Sequence, residues 1–278
     1  MNSLVPEKLG IIAGKGNYPL LLAQSARQQG VREIFALAFH GETERSIERL
    51  ADRVVWVRLG QLGAAYQALQ ASGVPHFVMA GQITPTSLFN MRMDMELLAL
   101  FGRLKERNAH TIFGALTEEL AKRGIEMLPA SCFMEAHMAE PGCLTTREPT
   151  PAQKADIELG LTVAKTTSGL EIGQTVALKD GTILAVEAFE GTDETILRAG
   201  KLGGTGIVVV KVSKRGHDVR FDLPVVGERT LKKLRKAGAA VLAIEARRTI
   251  LLDRTAVLAQ AEKQGLCIVG IESMENRT

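Results

Sequence analysis

The feature that most constrains the fold is a cycle repeated through the first part of the chain: apolar strand, glycine turn, helix. Leu9 to Ala13 reads as a strand, Gly14-Lys15-Gly16-Asn17 as a turn, and Pro19 to Gln29 as a helix closed by Gly30. Pro19 suits a first helical turn, where its missing N–H costs nothing, and Gly30 suits the position after the last turn. The same pattern predicts strands at Glu33 to Phe39, Arg53 to Val57 and His76 to Ala80, with helices at Thr43 to Ala51 and Gln61 to Ala71. Strands alternating with helices in this way form βαβ units with right-handed crossovers, so this half is expected to be a doubly wound parallel α/β domain of Rossmann-like type.

Open sheets of this kind bind ligands beyond the carboxyl ends of their strands, where Gly14 to Asn17 and Gly81 to Thr86 fall. A Gly-Lys-Gly turn can bring backbone N–H groups from a helix start up to a phosphate. The alternative is that the glycines only permit a tight turn. Position 19 is Pro rather than the third glycine of a dinucleotide fingerprint, and Lys15 lacks the P-loop context, so neither NAD nor ATP is specified.

Met91 to Arg107 reads as a helix rich in Met and Leu, suited either to a core or to an acyl chain or membrane interface. A helix over His110 to Gly124 and a strand over Ile125 to Leu128 complete this half. Pro141, Gly142, Thr145, Thr146, Pro149, Thr150 and Pro151 then concentrate chain breakers, the composition of a connection between domains. The expected division is 1–147 and 148–278. At about 150 residues per domain, the length suits two.

From Thr150-Pro151 a capped helix is expected. Strands at Thr175 to Lys179 and Thr182 to Ala188, joined by Asp180-Gly181, form a predicted hairpin. A helix to about Arg198, a strand at Ile207 to Lys211, a short strand at Val219 to Asp222, a basic helix at Gly227 to Lys236, a strand at Val241 to Glu245, a helix at Asp253 to Gln264 and a strand at Cys267 to Ile271 follow. Hairpins mixed with βα units predict a mixed-sheet α/β domain.

Acids gather at the strand ends of this half: Glu187, Glu190 and Asp193; Asp218 and Asp222; Glu245 with Arg247. Lys211, Lys214, Arg215 and Arg220 surround the second group. Carboxylates beside cations suit magnesium-assisted phosphoryl chemistry, in which hard oxygens hold the ion and Lys or Arg offsets phosphate charge. Each acid singly could equally be a solvated charge or a helix cap. The five histidines show no zinc-type pairing; only His217, beside Asp218, invites attention.

Net charge is only +3, and one Trp, two Tyr and nine Phe are too few for a stacking surface, so nucleic acid is not an expected partner. Cys132, Cys143 and Cys267 lack ribbon or disulfide spacing and fit a reducing compartment. No signal-like start and no membrane-length apolar run is evident, which predicts a cytoplasmic chain, soluble or peripheral.

Several segments together resemble one family. They are Gly10 to Pro19, Ile172 to Val176, Ala185 to Asp193, Lys211 followed by Asp218 to Gly227, and Ala243 to Ala246. In order and spacing over essentially the whole chain they are similar to the LpxI-type UDP-2,3-diacylglucosamine pyrophosphatases of lipid A biosynthesis. The resemblance implies a magnesium-dependent, or manganese-dependent, hydrolase that cleaves UDP-2,3-diacylglucosamine to UMP and 2,3-diacylglucosamine 1-phosphate (lipid X), with water attacking the sugar-side phosphorus. The essential aspartate of the family's Arg-x-Asp-x-Pro segment matches Asp222, flanked by Arg220 and Pro224. Motif position also implies Lys211 as a catalytic and substrate-binding group. It further implies Gly14, Lys15, Gly16, Asn17, Gln82, Thr192 and Asp218 as substrate contacts, with Asp222, Asp218, Glu190 and Asp193 as metal ligands. Many relatives carry a Gly-Asp pair where this chain reads Asn108-Ala109-His110-Thr111, which leaves an acidic contact there without support. Transient contact with the inner membrane surface is expected, and a homodimer is left open. The rival readings are a non-catalytic carrier of a nucleotide-linked lipid and an NAD-dependent oxidoreductase; a nucleic-acid role for the basic helix is weaker.

Overall fold

The computed structural model describes residues 5–83, 92–105, 109–214, 218, 220–221 and 223–272. The chain forms two compact units, one made of residues 1–135 with 218–222 and the other of 136–217 with 223–278.

In the first unit, β1 (Lys8–Ala13), α1 (Tyr18–Gln28), β2 (Glu33–Phe39), β3 (Arg53–Val57), α2 (Leu62–Ser72) and β4 (His76–Ala80) follow the predicted alternation. They lead to α3 (Met95–Arg103), α4 (Ala109–Lys122) and β5 (Glu126–Met127). The strands are all parallel in the order β3-β2-β1-β4-β5, a doubly wound Rossmann-like sheet with β1 in the middle. β1 and β2 are buried almost throughout, which is why both read as continuous apolar runs rather than alternating ones.

Two elements within residues 1–135 differ from expectation. The helix predicted over 43–51 is a single 3-10 segment, Arg45–Arg49. The Met-rich helix is shorter than the sequence suggests, because the Asp94 carboxylate accepts the Leu97 N–H at 2.9 Å and so fixes the start one residue before Met95. Its other oxygen accepts the Gly63 N–H of α2 at 2.8 Å. Met91 lies outside the described residues. Leu97, Leu100 and Phe101 are core, whereas Met95 is 80% exposed and Leu98 47%.

The second unit contains β6 (Gly142–Cys143), α5 (Pro151–Gly169), β7 (Thr175–Lys179), β8 (Thr182–Val186), α6 (Thr192–Gly203) and β9 (Ile207–Lys211). It continues with β10 (Val225–Val226), α7 (Glu228–Lys236), β11 (Ala239–Glu245), β12 (Ile250–Leu251), α8 (Arg254–Gln264) and β13 (Cys267–Ile271). Its sheet runs β6-β13-β11-β9-β7-β8 and is mixed: β9, β11 and β13 are parallel, while β6, β7 and the β7–β8 hairpin introduce antiparallel pairs. β6 comes from the breaker-rich stretch before α5. β10 and β12 form a separate two-stranded sheet, too short to show a sequence pattern.

Local chemistry explains the joints. Thr150 and Gln153 form a capping box at the start of α5, with Pro151 in the first turn. The Asp180-Gly181 turn has positive φ at both residues, and the buried Asp156 carboxylate of α5 accepts both their N–H groups at 3.0 and 2.7 Å. β9 buries both faces: Val208 and Val210 pack with Ile157, Leu161 and Ala164 of α5, while Ile207 and Val209 pack with Ile196, Leu231 and Val257 of α6, α7 and α8.

The strand expected over 219–222 is corrected for its described residues. Arg220 and Phe221 form a turn, not a strand. The Phe221 N–H bonds the Asp218 carbonyl at 3.2 Å and the Asp218 carboxylate accepts the Arg220 N–H at 3.0 Å, an aspartate turning the chain back on itself. Val219 and Asp222 lie outside the described residues.

Candidate functional site

In the first unit, the glycine turn after β1 meets the end of β4. The Gly14 N–H bonds the Ala80 carbonyl at 2.7 Å, and Lys15 and Gln82 exchange backbone bonds at 2.7 and 3.1 Å. The loops touch so closely that a Cβ on Gly14 would stand 2.8 Å from the Gln82 carbonyl oxygen. Gly14 is therefore a packing requirement, and the N–H groups of Gly14, Lys15 and Gln82 are already spent on backbone carbonyls. Gly16 and Asn17 lead into α1, and Asn17 makes no side-chain cap bond. The side chains of Lys15, Asn17 and Gln82 are exposed at this end of β1 and β4.

The turn of Arg220 and Phe221, closed by Asp218, belongs to the same unit. Arg220 grips the Asp218 carboxylate with two nitrogens, Nε at 2.8 and 3.0 Å and Nη2 besides. That contact, followed by the nearby charge of Asp218 and of Glu118 on α4, pushes the guanidinium pKa further up. Phe221 packs on Phe113 of α4, with ring centroids 5.6 Å apart.

In the second unit, a polar cluster forms where β9 ends and α6 begins. The nearly buried Lys211 Nζ donates to the Thr192 hydroxyl at 3.0 Å, and that hydroxyl donates to Glu187 Oε1 at 2.9 Å. The fully buried Thr175 hydroxyl lies 3.3 Å from Thr192, and Glu187 Oε2 accepts the Gln174 N–H at 3.3 Å. Gly173 makes this approach possible, because a Cβ there would stand 2.1 Å from the Glu187 carbonyl oxygen. Thr192 opens α6, whose N-terminal N–H groups carry partial positive charge. A buried ammonium beside a helix start can take up negative charge, while the Thr192 hydroxyl gives its proton to Glu187. Lys211 and Thr192, paired here, were expected from sequence as site residues; Glu187 was noted as a strand-end acid, and Glu187 and Thr175 lie in segments that carry the family resemblance without an assigned role.

The remaining acids are differently placed. Glu190 pairs with Arg198 at 2.7 Å, and its carboxyl is held below the usual range by its own backbone N–H, then by Arg198. Asp193 pairs with Arg229 of α7 at 2.6 Å. Asp218, Glu190 and Asp193 therefore each face a guanidinium, and among the described residues no group of three or more metal-ligating side chains is assembled. As a donor set these three do not fit a metal shell. Asp222, His217 and Arg215 lie outside the described residues. On the basic helix, Arg229, Lys232 and Lys233 are paired with Asp193, Glu228 and Glu194. No described helix is long and apolar enough to cross a membrane.

A parallel Rossmann-like unit joined to a mixed-sheet unit, with a lysine–threonine–glutamate cluster at a strand end, defines a two-domain α/β protein. Residues 8–137 match the LpxI N-terminal domain and residues 140–269 the LpxI C-terminal domain. The chain belongs to the LpxI family. It is 30% identical over 283 aligned positions to the UDP-2,3-diacylglucosamine pyrophosphatase LpxI of Caulobacter vibrioides, covering 96% of this chain and 99% of that one. Among solved structures, it is similar to an ADP complex of N5-carboxyaminoimidazole ribonucleotide synthetase at 12% identity and a TM-score of 0.29, over 69% of this chain and 44% of the other. It is also similar to phosphoribosylglycinamide synthetase from Anaerococcus prevotii at 13% identity and a TM-score of 0.26, over 66% and 39%.

Proposed function

We propose that the protein hydrolyses the pyrophosphate bond of UDP-2,3-diacylglucosamine. Water adds to the sugar-side phosphorus, the bond from that phosphorus to the bridging oxygen breaks, and the bridging oxygen leaves with UMP while the water loses its protons. The other product is 2,3-diacylglucosamine 1-phosphate. The observation that carries this reading is the Lys211–Thr192 pair at the start of α6, in a chain related along almost its whole length to an enzyme of that name.

Phosphoryl transfer is governed mainly by position and charge. Lys211 offsets charge on the pyrophosphate, and the Thr192 hydroxyl, whose proton goes to Glu187, accepts from the ammonium and holds it in place. Asp222 orients the attacking water or holds a cation, in keeping with its place in the Arg-x-Asp-x-Pro segment. Gly16, Asn17 and the exposed Lys15 and Gln82 side chains are proposed substrate contacts. A divalent ion, Mg²⁺ or Mn²⁺, belongs to the reading through Asp222 and supplies neutralisation of phosphate charge when bound. The substrate's acyl chains make transient contact with the cytoplasmic face of the inner membrane part of the same reading.

The test is release of UMP from UDP-2,3-diacylglucosamine with added Mg²⁺, with Mn²⁺, and with EDTA. Binding of the substrate without any UMP release would make the protein a carrier instead.

A further inference from the structure

Beside the Lys211 cluster lies a buried ion pair that the proposed chemistry does not use. Lys165 of α5 places Nζ 2.8 Å from Glu245 Oε1 and 3.0 Å from Oε2 at the end of β11, and it also donates to the Ser213 carbonyl at 2.8 Å. Glu245 Oε2 accepts both the Ser213 N–H and its hydroxyl at 2.6 Å. Lys165 is 5% exposed, and Glu245 and Ser213 not at all. Burial alone would raise the Glu245 carboxyl, but Lys165 and Ser213 outweigh it and hold it below the usual range.

These residues connect to the candidate site by an unbroken run of bonds. Glu187 takes the Gln174 N–H, the Gln174 carbonyl takes the Val212 N–H at 3.0 Å, and the next residue is Ser213. Lys214 is in turn ion-paired with Glu171, just beyond α5. The described residues that directly follow Lys211 are thus tied down: 212 to Gln174, 213 to Glu245 and Lys165, 214 to Glu171.

A buried ion pair is a poor source of stability compared with apolar residues of similar volume, because desolvating two charges offsets most of their attraction. Its geometric effect is different. One carboxylate facing two donors of a single residue fixes both the direction and the height of that residue. We propose that Lys165 and Glu245 are positioning residues for the hydrolysis: through Ser213 they fix the exit of β9, and with it the place of the Lys211 ammonium against Thr192. The inference rests on the reading of Lys211 given above.

The experiment compares wild type with the charge-free doubles Lys165→Met/Glu245→Met, which leaves Ser213 without its acceptor, and Lys165→Met/Glu245→Gln, which keeps an amide oxygen for it. For the methionine double, kcat for UMP release is expected to fall at least about tenfold with KM within about threefold, since small misplacements of a charged group act on the transition state. The glutamine double is expected to recover most of that loss at a similar thermal midpoint. A folded methionine double with wild-type kcat, or two doubles whose kcat simply follows their midpoints, overturns the proposal. If the methionine double does not fold, Ser213→Ala serves: a several-fold loss of kcat at an unchanged midpoint is expected, and unchanged kcat overturns it. Hydrogen exchange at the amides of residues 212–214 reads the same tether without turnover. Faster exchange in the methionine double, or in Ser213→Ala should that double not fold, is expected, and wild-type protection overturns the proposal. Wild type that releases no UMP defeats the proposed function and leaves this exchange measurement to decide the tether.

Discussion

Lys211 Nζ and the Thr192 hydroxyl lie 3.0 Å apart, joining the last residue of β9 to the first residue of α6. The lysine is 7% exposed, so its charge is aimed at whatever occupies the helix start rather than at bulk water. Replacing it by Met keeps the length of the stem and removes the charge. We expect UMP release to fall by about a hundredfold, the order seen when one group stabilising transition-state charge is lost. Steady-state kinetics on Lys211→Met checks this, and activity within about threefold of wild type would remove the lysine from the mechanism.

Asp222→Ala is expected to abolish turnover while leaving the circular dichroism spectrum and thermal midpoint close to wild type. A folded variant with normal UMP release would exclude a catalytic or cation-holding role for Asp222.

Gly173→Ala tests the close approach beneath Glu187. Its Cβ would stand 2.1 Å from the Glu187 carbonyl oxygen, so one of the two backbones has to move. A cost of about 1–3 kcal/mol is expected from overpacking. Activity should fall further than stability, because Glu187 holds the Thr192 hydroxyl. Denaturant unfolding and UMP release on one preparation decide it, and a neutral substitution on both counts would refute the packing argument.

Acid sensitivity follows from Glu245. Its carboxyl titrates lower in the folded protein than its ordinary value of 4.5. The unfolded state therefore takes up the proton first as pH falls, and folding stability is lost with it. The pair's contribution is complete above the unfolded value and disappears as pH drops through the folded one. Thermal midpoints between about pH 7 and pH 3 should fall more steeply for wild type than for Lys165→Met/Glu245→Gln, which has no such group to protonate. Parallel curves would show that the pair does not couple to stability.

Chelation is the last expectation. EDTA should suppress UMP release, and excess Mg²⁺ or Mn²⁺ should restore it; full activity after exhaustive chelation would detach the reaction from divalent ions. A metal shell including Glu190 or Asp193 would have to compete with the Arg198 and Arg229 guanidinium groups now facing them.

The fold was legible where one local signal decided the structure. Continuous apolar runs and glycine turns identified the parallel strands of the first unit, and Asp180-Gly181 identified the β7–β8 hairpin. The two-residue strands β10 and β12 escaped because two residues show no periodicity. The turn after Asp218 was not legible because Arg220-Phe221 resembles an extended pair, and it is the Asp218 carboxylate and carbonyl, accepting the Arg220 and Phe221 N–H groups, that fold it back. At the site, Lys211 and Thr192 were visible through motif resemblance. Thr175 and Glu245 sit in segments that carry the resemblance, but their bonding partners, and Lys165 altogether, were not legible, since those contacts join residues far apart in sequence: Lys165 meets a carboxylate 80 positions away.

The turn of Arg220 and Phe221 bears on how such a chain can evolve. Its residues group with 1–135 although they are encoded within the stretch that otherwise builds the second unit. Phe221 rests on Phe113, and Arg220 lies within reach of the Glu118 charge. A recombination event that exchanged one half of the gene near residue 136 would join an α4 from one ancestor to a Phe221 from another. A change at Phe113 and a change at Phe221 therefore bear on one and the same contact, although the two positions lie in different halves of the gene.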